Sequence, residues 1–327
     1  MSLREARIEG DPNRSVEADD MGLSRVLHGI RTRGWGSGRR QAGPTAFVLS
    51  GGGVLGAVQV GQMHALVEAG VIPDLLVGTS VGAINAVALA ADPTPAGVAR
   101  QRAAWAALTS EDLFPGSRLR RAWQIVSRGD HLYPNDGIRR LADLLPVRTF
   151  EQLAIPCTMV ATNLRTGRDH YFSSGPIAPA MLASTALPGI FPPMTIDGET
   201  YVDGGMSNNV PISRAFELGA RKIYVLTCGA QKPMPRPIRG PLDVFTQAVS
   251  HSRMAAAEDQ VRRFTEVARI EMMPTFHPGM IRFNDPTHSA ELMERAYELT
   301  RAHLSGTSIL TPSAATAPAP AVAPATA

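Results

Sequence analysis

The sequence predicts an α/β fold, a layered and mostly parallel sheet with helices packed on it. Three observations predict it. Short apolar runs of strand length alternate with longer runs at helical spacing, the pattern that layers helices on a sheet. Glycines cluster where a strand gives way to a helix, at Gly51, Gly52 and Gly53 and again at Gly78 and Gly82. A chain of 327 residues, 44% of them hydrophobic, can also bury a large core.

The first 43 residues are polar and read as an N-terminal extension, in which Leu23, Val26, Leu27 and Ile30 share one helical face beside Arg25, Arg31 and Arg33. Such a helix would pack on the body or lie in a membrane interface. The body is expected over 44–305. TAFVLS (45–50) reads as a buried strand, and AVQVGQMHALVEAG (57–70) as a helix closed by Gly70. DLLVG (74–78) is the next strand and Val81–Ala91 the next helix. A helical stretch of variable pattern fills 96–146. PCTMVATNL and DHYFSS then pair as a hairpin around an Arg-Thr-Gly turn, and MTIDGETYVDGG repeats the device on Asp197 and Gly198. KIYVLTCG and ARIEMMP are later strands separated by a long helix over 241–266, and PTHSAELMERAYELTRAHL is an amphipathic closing helix. Residues 306–327 form an Ala/Pro/Thr tail with nothing to pack.

Composition narrows the function classes. Lys and Arg number 32 against 29 Asp and Glu, a net charge of +3 with no basic tail, so no nucleic-acid partner is expected. Cys157 and Cys228 sit in apolar strand-like runs and read as two buried free thiols, which suits a reducing compartment. The first twenty residues lack the apolar centre of a secretory signal. The longest uncharged apolar run, Leu75 to Ala91, is short for a membrane span and holds Gly78, Ser80, Gly82 and Asn85, so it reads as a buried strand turning into a buried helix. The expected location is cytoplasmic, with peripheral membrane contact as the alternative. No His and acid cluster has metal-ligand spacing and calcium loops are absent, so neither a metal nor an organic cofactor is expected.

Three motifs carry chemistry. In LSGGGVLGAV, Gly51, Gly52, Gly53 and Gly56 follow a strand and open a helix, so backbone N–H groups converge unobstructed on a helix N-terminus, a site for a phosphate or a developing oxyanion. Gly51, Gly53 and Gly56 also match the dinucleotide fingerprint, but that reading needs an acid at the end of the second strand, and Asp74 opens that strand instead. In GTSVG, Gly78 and Gly82 flank Ser80 between strand and helix, the setting of a nucleophile elbow; the competing reading is an N-capping serine. In YVDGGMSNNVP, Asp203 ends a hairpin strand ahead of Gly204 and Gly205, which alone would be an ordinary turn.

Together with ASTALPGIFPP (183–193), these blocks resemble the patatin-like phospholipase family, over about Ala46 to Cys228, and especially its bacterial single-domain members. The resemblance implies a three-layer α/β/α fold with a central, mostly parallel sheet and a Ser-Asp dyad, here Ser80 and Asp203. It implies an oxyanion hole from the N–H groups of Gly51, Gly52 and Gly53. Gly56, Gly78, Gly82, Gly204 and Gly205 support the motifs, and Pro188, Phe191 and Pro192 support the wall of the site in a block with no chemical group of its own.

The reaction so implied is acyl transfer from a lipid ester to Ser80 and then to water, as in a phospholipase A or a lysophospholipase, with Asp203 as base. An aspartate, with a reference pKa of about 3.9, is a weak base at neutral pH, so the scheme leans on the helix behind Ser80 and on the glycine loop. One oxyanion donor is worth about 2.7–4 kcal/mol. The mechanistic alternative is a Ser-Asp-His triad, with His251, His277 and His288 all downstream of Asp203. A short-chain esterase or thioesterase, or a silent lipid-binding module, are the rival functions. The stretch Arg100 to Pro146 is expected near the site as a cap, and within it Arg118, Arg120, Arg121 and Arg128 beside Leu119, Trp123 and Ile125 form either a solvated helix face or a patch for anionic lipid. KPMPRPIRGP (232–241) reads as a basic loop.

Overall fold

The computed structural model describes residues 43–115, 131–229, 241–278, 281 and 284–306. The expected helix at 23–30, the arginine-rich segment at 118–128, the basic loop up to Gly240 and the tail beyond 306 lie outside the described residues.

The order is β1 (Thr45–Leu49), α1 (Gly56–Glu68), β2 (Leu75–Thr79), α2 (Val81–Ala91), α3 (Pro95–Ala107), the one-turn α4 (Ser110–Leu113) and α5 (Asp136–Asp143). There follow β3 (Cys157–Asn163), β4 (Asp169–Phe172), α6 (Ile177–Ser184), β5 (Met194–Ile196), β6 (Glu199–Asp203) and α7 (Ile212–Glu217). The chain continues through β7 (Lys222–Leu226), α8 (Pro241–Phe264), β8 (Arg269–Met272) and α9 (Ser289–Leu304). Local chemistry marks several of these boundaries. Thr94 caps α3 through the N–H of Gly97, with Pro95 at the first helical position. Asp197 and Gly198, at φ 51° and 80°, make the two-residue turn that an Asp-Gly hairpin demands.

The sheet is mixed but mostly parallel. β3, β2, β1, β7 and β8 lie side by side in parallel, while β4, β6 and β5 add antiparallel pairings. Alternate residues of β1 go to opposite faces: Phe47 and Leu49 join the core beneath α1, α2 and α9, and Ala46 and Val48 join the core beneath α7 and α8. All four are fully buried, as a parallel sheet covered on both sides requires, and the result is three layers. Helices α6 and α7 were not distinguished in the sequence, because α6 is eight residues of small and apolar types and α7 is only six residues long.

The pairing of β3 is what builds the site. β4 occupies one edge of β3 across Met159–Thr162, so β2 and β6 must share the other edge. β2 ends with Thr79 opposite Val160, and β6 ends with Asp203 opposite Ala161. The two strands run toward each other and stop on neighbouring β3 residues.

Candidate active site

Ser80 follows the last residue of β2 and precedes α2 with φ 56° and ψ −125°. A non-glycine residue in that region stores strain on the order of 1–3 kcal/mol, which persists only when its surroundings enforce it. Packing enforces it here, because the turn is too tight for side chains on either flank. A Cβ on Gly78 would lie 2.3 Å from the carbonyl oxygen of Gly82, and one on Gly82 would lie 2.4 Å from that of Leu49. The Ser80 N–H donates to Ser184 Oγ at 3.0 Å, and that hydroxyl donates onward to the Val160 carbonyl at 2.6 Å.

Asp203 faces Ser80 directly. The Ser80 hydroxyl donates to Asp203 Oδ2 at 2.5 Å, and the Gly205 N–H donates to Oδ1 at 2.7 Å. The Asp203 backbone is held on both sides: its N–H donates to the Ala186 carbonyl at 2.9 Å, and its carbonyl accepts from Thr162 Oγ1 at 3.0 Å. Asp203 is only 2% exposed, and burial pushes its carboxyl above the ordinary carboxylate value, against the opposing pull of the Arg253 charge, the Ser80 hydroxyl and the Gly205 N–H. An aspartate shifted in that direction is a better base than a solvated one.

The glycine loop is partly committed. Gly51 N–H donates to the Asn209 carbonyl at 3.3 Å, so its amide serves the scaffold. The N–H groups of Gly52 and Gly53 have no acceptor among the described residues. Both ends of the loop are pinned by amide side chains to which the sequence reading gave no role in the site. Gln59 Nε2 donates to the Ser50 carbonyl at 2.8 Å and to that of Leu226 at 3.1 Å, and Asn85 Nδ2 donates to the Gly56 carbonyl at 3.0 Å and to Gln59 Oε1 at 2.9 Å. Asn85 Oδ1 in turn accepts from Trp105 Nε1 and Gln101 Nε2, both at 3.0 Å, so neither buried amide is left wanting.

A cavity of about 890 Å³ borders Ser80, Asp203 and the glycine loop. Its apolar wall comes from the stretch expected as a cap, with Trp105, Leu108, Phe114 and Leu141, and from Ile190 and Phe191 of the ASTALPGIFPP block. Pro188 of that block is exposed and stands outside the wall. The block does carry a chemical group, the Ser184 hydroxyl, which the sequence reading overlooked because a buried serine among small helical residues gives no pattern. All three histidines are exposed and only His277 lines the cavity; the contact between Ser80 and Asp203 has no histidine interposed. Cys157 and Cys228 are buried free thiols, each pushed up to about 12 by burial. Among the described residues no three His, Cys, Asp or Glu side chains gather into a cation site, and no helix is long and apolar enough to cross a membrane.

The family model of patatin-like phospholipases matches residues 47–216, just over half of the chain. The chain belongs to the patatin-like phospholipase family. Among members of that family, it is 32% identical to an uncharacterized NTE family protein of Mycobacterium tuberculosis over 184 residues, 56% of this chain and 47% of the relative. It is 32% identical to patatin-like phospholipase domain-containing protein 6 of Homo sapiens over 189 residues, 57% of this chain and 13% of the relative. The chain thus spans less than half the length of these curated patatin-like relatives. Among solved structures, VipD from Legionella pneumophila aligns over 80% of this chain and 67% of its own, with a TM-score of 0.41 and 16% identity.

Proposed function

We propose that this chain is a lipid acyl hydrolase that cleaves carboxylic esters through an acyl-Ser80 intermediate. The observation that carries this reading is the Ser80 hydroxyl donating straight to a buried Asp203 carboxylate beside a large apolar cavity. Asp203 takes the hydroxyl proton as Ser80 Oγ attacks the ester carbon, and the carbonyl oxygen becomes an oxyanion. The N–H groups of Gly52 and Gly53 are the donors with spare capacity to stabilise it. Collapse of the tetrahedral species expels the alcohol, which leaves with the proton held by Asp203, and the acyl group stays on Ser80. A water molecule then gives its proton to Asp203 and attacks the acyl carbon, and the fatty acid departs as Ser80 regains its hydroxyl. The apolar wall gives the acyl chain a dry place to lie, which favours a lipid over a short-chain ester.

Mass-spectrometric mapping of a fluorophosphonate probe on the purified chain tests this, with Asp203→Asn alongside. Labelling confined to Ser80 and suppressed in the variant is expected. A folded protein that takes no label at Ser80 would turn the reading toward a binding role.

A further inference from the structure

The Arg253 guanidinium on α8 borders the same cavity as the dyad and is under-used. Among the described residues its one hydrogen bond runs from Nη2 to the Met206 sulfur at 3.2 Å, a weak acceptor, and its Nε is buried with no partner. No carboxylate pairs with it among those residues. It nevertheless stands beside the reacting groups, since a Cβ on Gly205 would lie 3.0 Å from Arg253 Cζ. Asp203 leaves it little to hold, because Oδ2 accepts from Ser80 and Oδ1 from Gly205. A buried guanidinium donor without an acceptor is a group that folding alone does not explain. Its planar fork of donors matches the oxygens of a phosphate.

The cavity offers both kinds of surface. α8 lines it with Gln247, Ser250 and Arg253 as well as Met254, Ala257, Glu258, Val261 and Arg262, while Leu108, Phe114 and Phe191 add apolar surface from other elements. An ester with an apolar tail and a phosphate a few bonds from its carbonyl would satisfy both kinds with its reacting carbon at Ser80. We infer that Arg253 is a specificity-determining residue that binds a phosphate oxygen of the substrate headgroup, so that the site prefers a phosphate-bearing lipid ester to a neutral glyceride of the same chain. This rests on the acyl hydrolase reading above.

The test compares lysophosphatidylcholine with a monoacylglycerol of the same acyl chain. In the wild type kcat/KM favours the phosphate ester, and Arg253→Gln lowers the ratio of the two values by roughly ten- to hundredfold, with Arg253→Lys between them. Equal losses on both substrates would overturn the inference and assign Arg253 to Asp203 or to the fold; no loss on either would overturn it too. Inhibition of both reactions by millimolar inorganic phosphate, with no preference between the lipids, would mark a free-phosphate site and overturn the headgroup assignment. Equilibrium binding by the Ser80→Ala protein separates this inference from the hydrolase reading. That protein is expected to bind the phosphate lipid more tightly, and adding Arg253→Gln is expected to remove the difference. If the wild type hydrolyses neither ester, the hydrolase reading fails while the binding difference still decides the role of Arg253.

Discussion

Ser80 Oγ and Asp203 Oδ2 lie 2.5 Å apart although 123 positions separate the two residues in the chain. The contact joins a strained backbone on one side to a buried charge on the other. Each of these costs stability, and on the proposed mechanism each serves reactivity; the substitutions below separate the two effects.

Asp203→Asn is expected to abolish turnover, by about a thousandfold or more, and to stabilise the fold at neutral pH. Burial raises the folded carboxyl above its ordinary value of 3.8. Between those two values the folded state binds more protons than the unfolded chain, so this group's contribution to stability falls as pH rises through the window and is level above it. The variant lacks that loss. Its Tm relative to wild type should therefore climb from about pH 4 upward and then plateau, and a pH-independent difference would contradict the burial argument.

The same shift places the acid limb of the kcat/KM profile. The carboxylate form accepts the Ser80 proton, so activity rises with pH through the folded value, above 3.8. A profile whose limb centres at or below the ordinary aspartate value would show that the base is solvated in the free enzyme.

Ser184→Ala removes the acceptor of the Ser80 N–H and the donor to the Val160 carbonyl. One partly buried N–H and one buried carbonyl lose this partner, at a cost of about 1–3 kcal/mol in stability. The elbow also loosens, so kcat should fall roughly tenfold or more with little change in KM, and fluorophosphonate labelling of Ser80 should slow in proportion. Ser184→Thr, which keeps the hydroxyl, should recover more of kcat than of Tm.

Gly82→Ala would drive a Cβ to 2.4 Å from the Leu49 carbonyl oxygen and 2.6 Å from that of Ser50, both backbone atoms at the end of β1. Neither can swing aside. Denaturant unfolding should show a loss of about 3 kcal/mol or more, and retention of wild-type stability would mean that α2 can shift along the sheet.

His251→Gln and His288→Gln change exposed side chains and should leave hydrolysis within a fewfold of wild type. His277→Gln alters the cavity lining and should act mainly on KM. A loss of several orders of magnitude in kcat from any of the three would point to a triad.

Much of this arrangement was legible because its signals are local. A strand shows as an apolar run, and an elbow shows as two glycines around a serine where strand meets helix, which is how Ser80 stands out; Asp203, in a DGG that alone reads as a turn, stands out only through the resemblance to the family. What stayed hidden depends on partners distant in sequence. That Gly51 spends its amide on Asn209 depends on the loop between β6 and α7, and that Gln59 reaches the Leu226 carbonyl follows from how β1 and β7 lie together. Ser184 was silent because its neighbours are small and apolar, and Arg253 because one arginine in a long charged helix looks like solvated surface. Phe191 lines the cavity as expected, whereas the places expected for Pro188 and Pro192 are filled by Leu187 and Ile190.

The meeting of β2 and β6 on one edge of β3 has a consequence for how the protein tolerates change. The distance between Ser80 and Asp203 is written into the register of three strands, and residues 92–156, between α2 and β3, supply none of the residues in that register. That stretch contains α3, α4 and α5, which face the cavity. It can be lengthened, shortened or exchanged for another, altering the shape of the cavity, while the two side-chain oxygens keep their spacing. A single-residue deletion inside β3, by contrast, would turn the side chains beyond it to the other face and part the pair without touching either member.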